Sequence, residues 1–431
     1  MLWVYVILVS TKRGNQRENL LTEEECPVTN KQNVRREPLW TPTFTALFFM
    51  NMLTCAGFYM TSPTLPKYAV SVGMSLAMAG VLTGIFSIVA IFVRPVIGAV
   101  SDRTSGKTIL VTSTLVTSLA ALGYSRSTTT AALFLCRILH GACFAAGSTV
   151  QLAITSTLLP ESRMAEGMGQ MGISSILAMT FAPNLGLTLS ESLGYEKMFL
   201  VSAALIAAAG VGMLFLPVKP TPAAPQRRKL DFRAMFLPKL FLISVIGALF
   251  SLMNGVVSSF LSMLGDERGI ANVGLFFTVS SLAVLAIRPF IGQVIDRKGL
   301  YFVLFPSLIL GALAMVCIGS SWGIVPVIAA SVLKGVSQSS GQTAVQAECA
   351  KRSRPEQRGV AMATYYLGSD LGNSVGSSLG GWLSQSVGYG GMFHLTGALV
   401  AGGVLLTALQ LRKDKSRGDC ESSSSERKSC A

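Results

Sequence analysis

The sequence predicts an all-α membrane protein whose twelve transmembrane helices form two six-helix bundles related by a pseudo-twofold axis. Three observations lead to this fold class. Of the 431 residues, 51% are hydrophobic and only 13% are charged, whereas soluble proteins carry about 25% charged residues. Many apolar runs approach the roughly 20 residues that a helix needs to cross a bilayer. Finally, the stretch from Arg94 to Arg103 recurs from Arg288 to Arg297, 194 residues later.

The repeat extends beyond this stretch and shows how the two halves correspond. The shared motif reads RPVIGAVSDR in its first copy and RPFIGQVIDR in its second. A repeat of this length exceeds a solenoid unit. It indicates two parallel halves of six spans each, related by an axis along the membrane normal. Further pairs keep the same offset: His140-Gly141 with Lys334-Gly335, and Gly194-Tyr195 with Gly388-Tyr389.

In chain order, the sequence divides into five parts. Residues 1–39 form a largely polar N-terminal extension, and residues 412–431 form a charged, serine-rich tail. Both compositions predict disorder. Between them lie a first six-helix bundle (40–217), a basic and proline-rich linker (218–238) and a second six-helix bundle (239–411).

Twelve apolar segments in the two bundles are predicted to span the membrane. The first is expected to end before Pro63 and Pro66, because proline ends or kinks a helix. Pro183 lies inside the predicted fifth span and is expected to kink that helix. The spans are predicted near 42–62, 76–100, 108–125, 130–157, 167–189, 197–217, 239–263, 271–294, 301–319, 323–348, 360–384 and 391–411.

The basic residues predict the orientation of the chain in the membrane. The N-terminal extension, the linker, the tail and the loops that follow even-numbered spans hold most of the Lys and Arg residues. Since basic loops stay on the cytoplasmic side, we expect a plasma-membrane protein with both termini in the cytoplasm. This placement also accounts for the net charge of +14 without a nucleic-acid partner. The opposite side holds only Lys67, Arg126, Lys197 and Arg268.

Several functional classes find no support in the sequence. The eight cysteines form no C-x-x-C pair, and the chain has two histidines, so we expect no metal site, no disulfide framework and no cofactor. The phosphate-binding pattern G-x-x-x-x-G-K-[ST] does not occur, which argues against direct coupling to ATP. We therefore expect a protein that is not an enzyme.

A G-x-x-x-D-R motif follows the second and the eighth span, and the two sets of six spans are joined by a basic loop. In these features the chain resembles the major facilitator superfamily over roughly residues 40–412. The family pattern continues D-R-x-G-[RK]-[RK]. The first copy has one extra residue before Gly106, and the second has Leu300 and Tyr301 at the basic positions. The predicted gating motif comprises Arg94, Gly98, Asp102, Arg103, Arg288, Gly292, Asp296 and Arg297.

The spacing of the first motif indicates how it would work. Arg94, Gly98 and Asp102 lie four residues apart, on one stripe of a helix. Gly98 lets another helix approach closely, and Asp102 is placed to meet the positive end of a helix dipole. The resemblance implies that this helix is the eleventh span, which begins near Gly359. The contact is either a gate that opens and closes or a static structural lock.

Ionisable residues inside spans are costly and often functional. Asp370 is the one carboxylate predicted deep in a span, where it suits proton coupling, a cationic substrate or hydrogen bonding between glycine-rich helices. Arg137 is expected to pair with a backbone carbonyl or an acid, and to contact an anionic substrate or take part in proton coupling. His140 suits a proton relay, and Lys334 occupies the matching position of the second half.

Polar residues recur at helical spacing in spans one, four, seven and ten, and beside Asp370 in span eleven. Spans six and twelve, in contrast, are almost wholly apolar, as expected of helices that face lipid. In the family, spans one, four, seven and ten line a central cavity, so the polar stripes predict a translocation path. Each residue taken alone is better explained by packing than by contact with a substrate. The predicted lining consists of Asn51, Ser148, Gln151, Asn254, Ser258, Gln338, Gln342, Tyr366 and Asn373.

These features together predict a secondary active transporter that works as a monomer by alternating access. Ala182-Pro183 and Gly186 in span five match part of the family's antiporter motif G-P-x-x-G-G. This partial match favours proton-coupled efflux of small organic molecules. Two alternatives stay open: proton-coupled uptake of a sugar, organic acid or other metabolite, and a membrane receptor or scaffold that transports nothing.

Overall fold

The computed structural model describes residues 39–101, 105–159, 164–217, 237, 240–353 and 358–429. The described chain is helical and contains no strand, which confirms the all-α class. One helical stretch, Arg358–Ser429, breaks at Gly388, whose φ is 73°, and we number its two parts α11 (358–387) and α12 (389–429). The other helices are α1 (Pro42–Ser71), α2 (Leu76–Ser101), α3 (Gly106–Arg126), α4 (Thr130–Leu158), α5 (Met164–Leu193), α6 (Tyr195–Leu214), α7 (Phe241–Glu267), α8 (Leu275–Lys298), α9 (Leu300–Gly319) and α10 (Ile324–Lys351).

Helix α1 continues to Ser71, so the prediction that it ends before Pro63 is wrong. Proline removes one backbone donor, but a transmembrane helix tolerates it where side-chain hydroxyls bond to nearby carbonyls. Thr61 donates to the carbonyl of Phe58 at 2.7 Å, and Thr64 donates to the carbonyl of Met60 at 2.8 Å.

Helix α12 also exceeds its predicted length. It continues past residue 411 to Ser429, so the prediction of a disordered tail is wrong over that range. The tail contains no proline, and neither its charge nor its serines force a helix to end. The N-terminal extension and the linker, apart from Leu39 and Leu237, lie outside the described residues.

Ten stretches of the described chain are long and apolar enough to cross a membrane. One of them, Thr364–Arg412, covers α11 and α12 together. Helix α10 is not among the ten, although the sequence predicts it as the tenth span. Its serine and glutamine side chains lower its apolar character, as expected of a helix that faces other helices rather than lipid.

The two halves pack by the same scheme. In the first half α1 packs on α5 and α3 on α6, and in the second half α7 packs on α11 and α9 on α12. Glycines permit these approaches: Gly186 of α5 lies against the backbone of Met60, and Gly372 of α11 lies against the backbone of Ala248. Small residues allow such backbone contact between membrane helices.

The halves meet where α2 crosses α11, with further contacts of α1 with α7 and of α5 with α8. We call the end of the bundle where α1 ends and α2 begins the far end, and the opposite end the linker end. Near the far end, Gly80 of α2 lies against the carbonyl of Ser377 and the backbone of Gly381. On α8, Thr278 donates a hydrogen bond of 2.7 Å to the carbonyl of Thr180. Close backbone approach therefore joins the halves at the far end.

This crossing predicts a specific effect of Gly80→Val. A side chain at Gly80 would overlap the backbone of α11, whereas Gly402 of α12 has no neighbour within 4 Å of an added Cβ. We expect Gly80→Val to lower the unfolding midpoint of the detergent-solubilised protein, since overpacking costs about 1–3 kcal/mol. Gly402→Val is the matched control for the loss of a helical glycine. Equal midpoints for the two variants would contradict the close crossing.

Candidate functional site

The gating motif is only partly covered by the described residues. Asp102 and Arg103 lie outside them, as do the surroundings of Gly98 and the side chain of Asp296. In the second copy, Arg288 and Arg297 are exposed, and Gly292 has no neighbour within 4 Å of an added Cβ. The predicted meeting of Asp102 with the start of α11 therefore stays a prediction.

Arg94, the first residue of the motif, forms an ion pair with Asp370. Its Nε atom lies 3.5 Å from Oδ2 of Asp370, and the two side chains are 38% and 23% exposed. The pair joins α2 of the first half to α11 of the second. Beside it, the Asn373 amide donates a hydrogen bond of 3.0 Å to the hydroxyl of Ser87. The structure thus brings together two charges that the sequence singles out for separate reasons.

A first cationic centre, which comprises Arg137 and His140, lies inside the first half. Arg137 is buried, and its guanidinium carbon lies 4.6 Å from the centre of the Phe86 ring. Its Nε and Nη1 atoms are buried without a hydrogen-bond partner. Arg137 is predicted to pair with a carbonyl or an acid, but neither of these two atoms has such a partner among the described residues. Instead, the guanidinium group lies over the aromatic face of Phe86.

His140 is fully buried beside Arg137. Its Nδ1 atom lies 3.2 Å from the hydroxyl of Tyr124, which also interacts with Arg137. The Nε2 atom of His140 is buried without a hydrogen-bond partner. Nδ1 of His140 therefore has a hydrogen-bond partner within the first half, whereas Nε2 has none among the described residues.

Three phenylalanines form an aromatic wall around this centre: Phe58 of α1, Phe86 of α2 and Phe144 of α4. The ring centres of Phe58 and Phe144 lie 4.6 Å apart, and those of Phe58 and Phe86 lie 4.9 Å apart. Phe86 and Phe144 are not among the site residues predicted from the sequence. Phe144 follows His140 by four residues, which puts both on one helix face and would have been a usable signal. Phe86 carries no such signal, since it reaches Arg137 from another helix.

A second cationic centre, which comprises Lys334 and Asn254, lies inside the second half. Lys334 is buried, and its Nζ atom donates a hydrogen bond of 2.9 Å to Oδ1 of Asn254 on α7. This partner is a neutral amide. One turn along α10, the Oε1 atom of Gln338 is buried without a hydrogen-bond partner. The second centre therefore also contains a buried hydrogen-bond acceptor that has no partner among the described residues.

A short series of contacts across the α2–α11 crossing connects the two centres. Phe86, which contacts Arg137, precedes Ser87, which bonds to Asn373. The carbonyl of Asn373 lies against Gly255, and Gly255 follows Asn254 of the second centre. The crossing therefore places the two cationic centres at a similar level of the bundle.

Other predicted lining residues bond either to a neighbouring helix or within their own helix. Asn51 donates to the hydroxyls of Ser174 and Ser175 on α5, at 2.5 and 3.1 Å. Ser148 bonds to a carbonyl of its own helix, and the Gln151 amide lies 3.9 Å from the sulfur of Met171. These contacts agree with the packing interpretation of the three polar side chains. In the same way, Ser258 bonds within α7, Gln342 reaches Ser251 of α7, and Tyr366 accepts a bond from Gln346.

A charged contact closes the far end. Nζ of Lys67 on α1 lies 2.8 Å from Oδ2 of Asp266 on α7, and 4.0 Å from the carboxylate of Glu191 on α5. One turn below, Ser262 donates to the carbonyl of Pro63 at 3.3 Å. The sequence predicts for Lys67 only that it lies on the side of the membrane opposite the cytoplasm. Its partner could not be read from local pattern, because it lies in the other half.

Known proteins resemble this chain in sequence and in fold. The chain is 24% identical to the staphylopine export protein of Staphylococcus aureus strain Mu50 over 372 residues, which covers 83% of this chain and 93% of that protein. It is 23% identical to the multidrug resistance protein MdtG of Klebsiella pneumoniae strain 342 over 411 residues, which covers 91% of this chain and 97% of that protein. A crystal structure of a POT family transporter superposes with a TM-score of 0.74 at 15% identity, and covers 86% of this chain and 96% of that one.

The family profile covers both halves of the chain. The Major Facilitator Superfamily matches residues 47–271 and residues 243–429. The two matches overlap over residues 243–271, in α7 and the turn that follows it, and together they include every helix from α2 to α12 in full. The resemblance inferred from the repeated motif is thereby confirmed, and the chain belongs to the Major Facilitator Superfamily of membrane transporters.

Proposed function

We propose that this protein is a proton-coupled exporter of small organic molecules that works by alternating access and leaves its substrate chemically unchanged. The observation that carries the proposal is the Arg94–Asp370 ion pair, which joins the two halves at the α2–α11 crossing. Two relatives that match most of the chain are named for export and for multidrug resistance. Their names support export over the uptake alternative.

The proposed orientation follows from the basic residues. With the linker and both termini in the cytoplasm of a plasma-membrane monomer, the far end faces outward. The contacts of Gly80 with α11, of Lys67 with Asp266, and of Ser262 with Pro63 all lie toward that end. This conformation is therefore closed to the outside, and it is the conformation in which an exporter takes up its cargo.

Asp370 would couple the proton to this closure. While the carboxylate is ionised, it attracts Arg94 and holds α2 against α11. When α2 and α11 move apart at this pair, Asp370 loses this cation and takes up a proton that enters from outside, because an unpaired carboxylate is costly in low dielectric. The far end closes again once the proton leaves toward the cytoplasm and the ion pair re-forms. One proton thus moves inward for each outward step.

The Asp370→Asn variant tests the coupling step. Because asparagine neither ionises nor binds a proton, we expect it to abolish transport driven by a pH gradient while solute counterflow continues. Both activities are measured in proteoliposomes. Glu196→Gln is the control, since Glu196 forms an exposed ion pair with Arg126 at 3.9 Å and should leave both activities unchanged. Gradient-driven transport at the wild-type rate in Asp370→Asn would remove Asp370 from the mechanism.

The direction of transport separates export from uptake. In inside-out vesicles with an acidic lumen, we expect an exported substrate to accumulate inside while the pH gradient dissipates. The gradient is read with a pH-sensitive dye, and the substrate is one found by a binding screen. Accumulation in right-side-out vesicles with an acidic exterior would instead support proton-coupled uptake. Absence of counterflow for every substrate that binds would support a receptor or scaffold.

The contact of Lys67 with Asp266 tests alternating access. In a cysteine-free background, we expect Lys67→Cys with Asp266→Cys to be joined by a bifunctional thiol reagent, which would hold the far end closed. Transport should stop on cross-linking and recover when a cleavable cross-linker is reduced. Each single-cysteine variant treated with the same reagent serves as control. Continued transport by fully cross-linked protein would contradict an opening at this end.

A further inference from the structure

We propose that the substrate carries a negatively charged group together with an aromatic or other flat apolar part, and that Arg137 and Lys334 bind the charged group from the two halves. This inference rests on the proposed transport function and names the substrate class. The anionic group would lie between the first and the second cationic centre. The apolar part would lie against the aromatic wall of Phe58, Phe86 and Phe144.

The charge balance of the buried groups supports an anion. Arg137 and Lys334 are each 3% exposed. Neither has a carboxylate within 4.0 Å among the described residues. Asp370, the one carboxylate predicted deep in a span, is paired with Arg94. Burying a cation without a counter-ion is costly, so an anionic ligand would complete the site.

The unused hydrogen-bond donors point to the same ligand. Nε and Nη1 of Arg137 are buried, and neither has a hydrogen-bond partner among the described residues. A guanidinium donates and never accepts, so only an acceptor fits there, and a carboxylate, sulfonate or phosphate is the strongest. Lys334 carries three donors, and Asn254 accepts one of them. Both centres can therefore add an oxygen acceptor without giving up a contact that they already make.

The placement of the centres allows one ligand to engage both. Both border the Ser87–Asn373 contact, the first centre through Phe86 and the second through Gly255, which follows Asn254. The repeat also places His140 and Lys334 at equivalent positions of the two halves. Phe58 and Phe144 are only half-buried, so the aromatic wall keeps part of its surface free. A ligand between the halves would thus meet a cation from each side and an aromatic surface from the first half.

A matched series of three naphthalene probes tests the charge preference: 2-naphthoate, 2-naphthamide and 2-naphthylmethylammonium. The three share one ring system and differ in charge. Binding to the purified full-length protein is measured by isothermal titration calorimetry. We expect 2-naphthoate to bind at least about tenfold more tightly than either of the others, which corresponds to about 1.4 kcal/mol. Tighter binding of the ammonium probe, or no binding of 2-naphthoate, overturns the proposal.

Variants at the two centres test the residues. Arg137→Gln and Lys334→Gln should each weaken the binding of 2-naphthoate about tenfold or more, whereas Arg137→Lys should retain part of it, because the charge remains. Arg126→Gln, which removes a cation that is 80% exposed, should have no effect. Thermal unfolding confirms that each variant is folded, and the two centres lie in different halves, so one result does not depend on the other. Unchanged 2-naphthoate binding in both glutamine variants overturns the assignment.

The outcome for the site is separable from the outcome for transport. If the protein binds 2-naphthoate as expected but drives no flux of it in proteoliposomes under a pH gradient, the anion site stands and the transport function fails. If it transports 2-naphthylmethylammonium and does not bind 2-naphthoate, transport stands and the anion site is overturned.

Discussion

The crossing of α2 and α11 is the interaction on which the rest of this structure depends. Within a bilayer, apolar side chains are as well solvated by lipid as by each other, so close packing and polar contacts must hold helices together. Here Gly80 and Gly381 bring the two backbones into contact, and the Asn373–Ser87 bond and the Arg94–Asp370 pair follow along the same crossing. This sequence of contacts sets how the two halves are placed relative to each other.

The composition of the crossing also suits an interface that must open. Glycine and serine contacts lose little when they separate, because each buries a small area, and one ion pair can be cancelled by a single proton on Asp370. A large apolar interface of the same length would be harder to separate, since much more packing would be lost. The far-end contact of Lys67 with Asp266 adds a second charged pair that the same movement would break.

The duplicated halves share one packing scheme but differ in chemistry. At matching positions the first half has His140 and the second has Lys334. Around them, the first half supplies Tyr124 and an aromatic wall, whereas the second supplies the Asn254 amide. A ligand between the halves therefore meets two unlike surfaces, which favours a molecule with one charged and one apolar end.

The membrane location, the all-α class and the internal repeat follow from the sequence, because composition and periodicity along one helix are local properties. The same rules singled out Arg94, Arg137, Lys334 and Asp370, since any ionisable residue inside a span demands an explanation. Which of these groups meet was decided only by the tertiary structure. The partner of Asp370 is Arg94 and the neighbour of Arg137 is Phe86. Close backbone contacts at Gly80 on the α2–α11 side and at Gly141 on the α2–α4 side help to set the rotation and offset of those helices. No local pattern carries that information, since it arises from the fit of surfaces far apart in the chain.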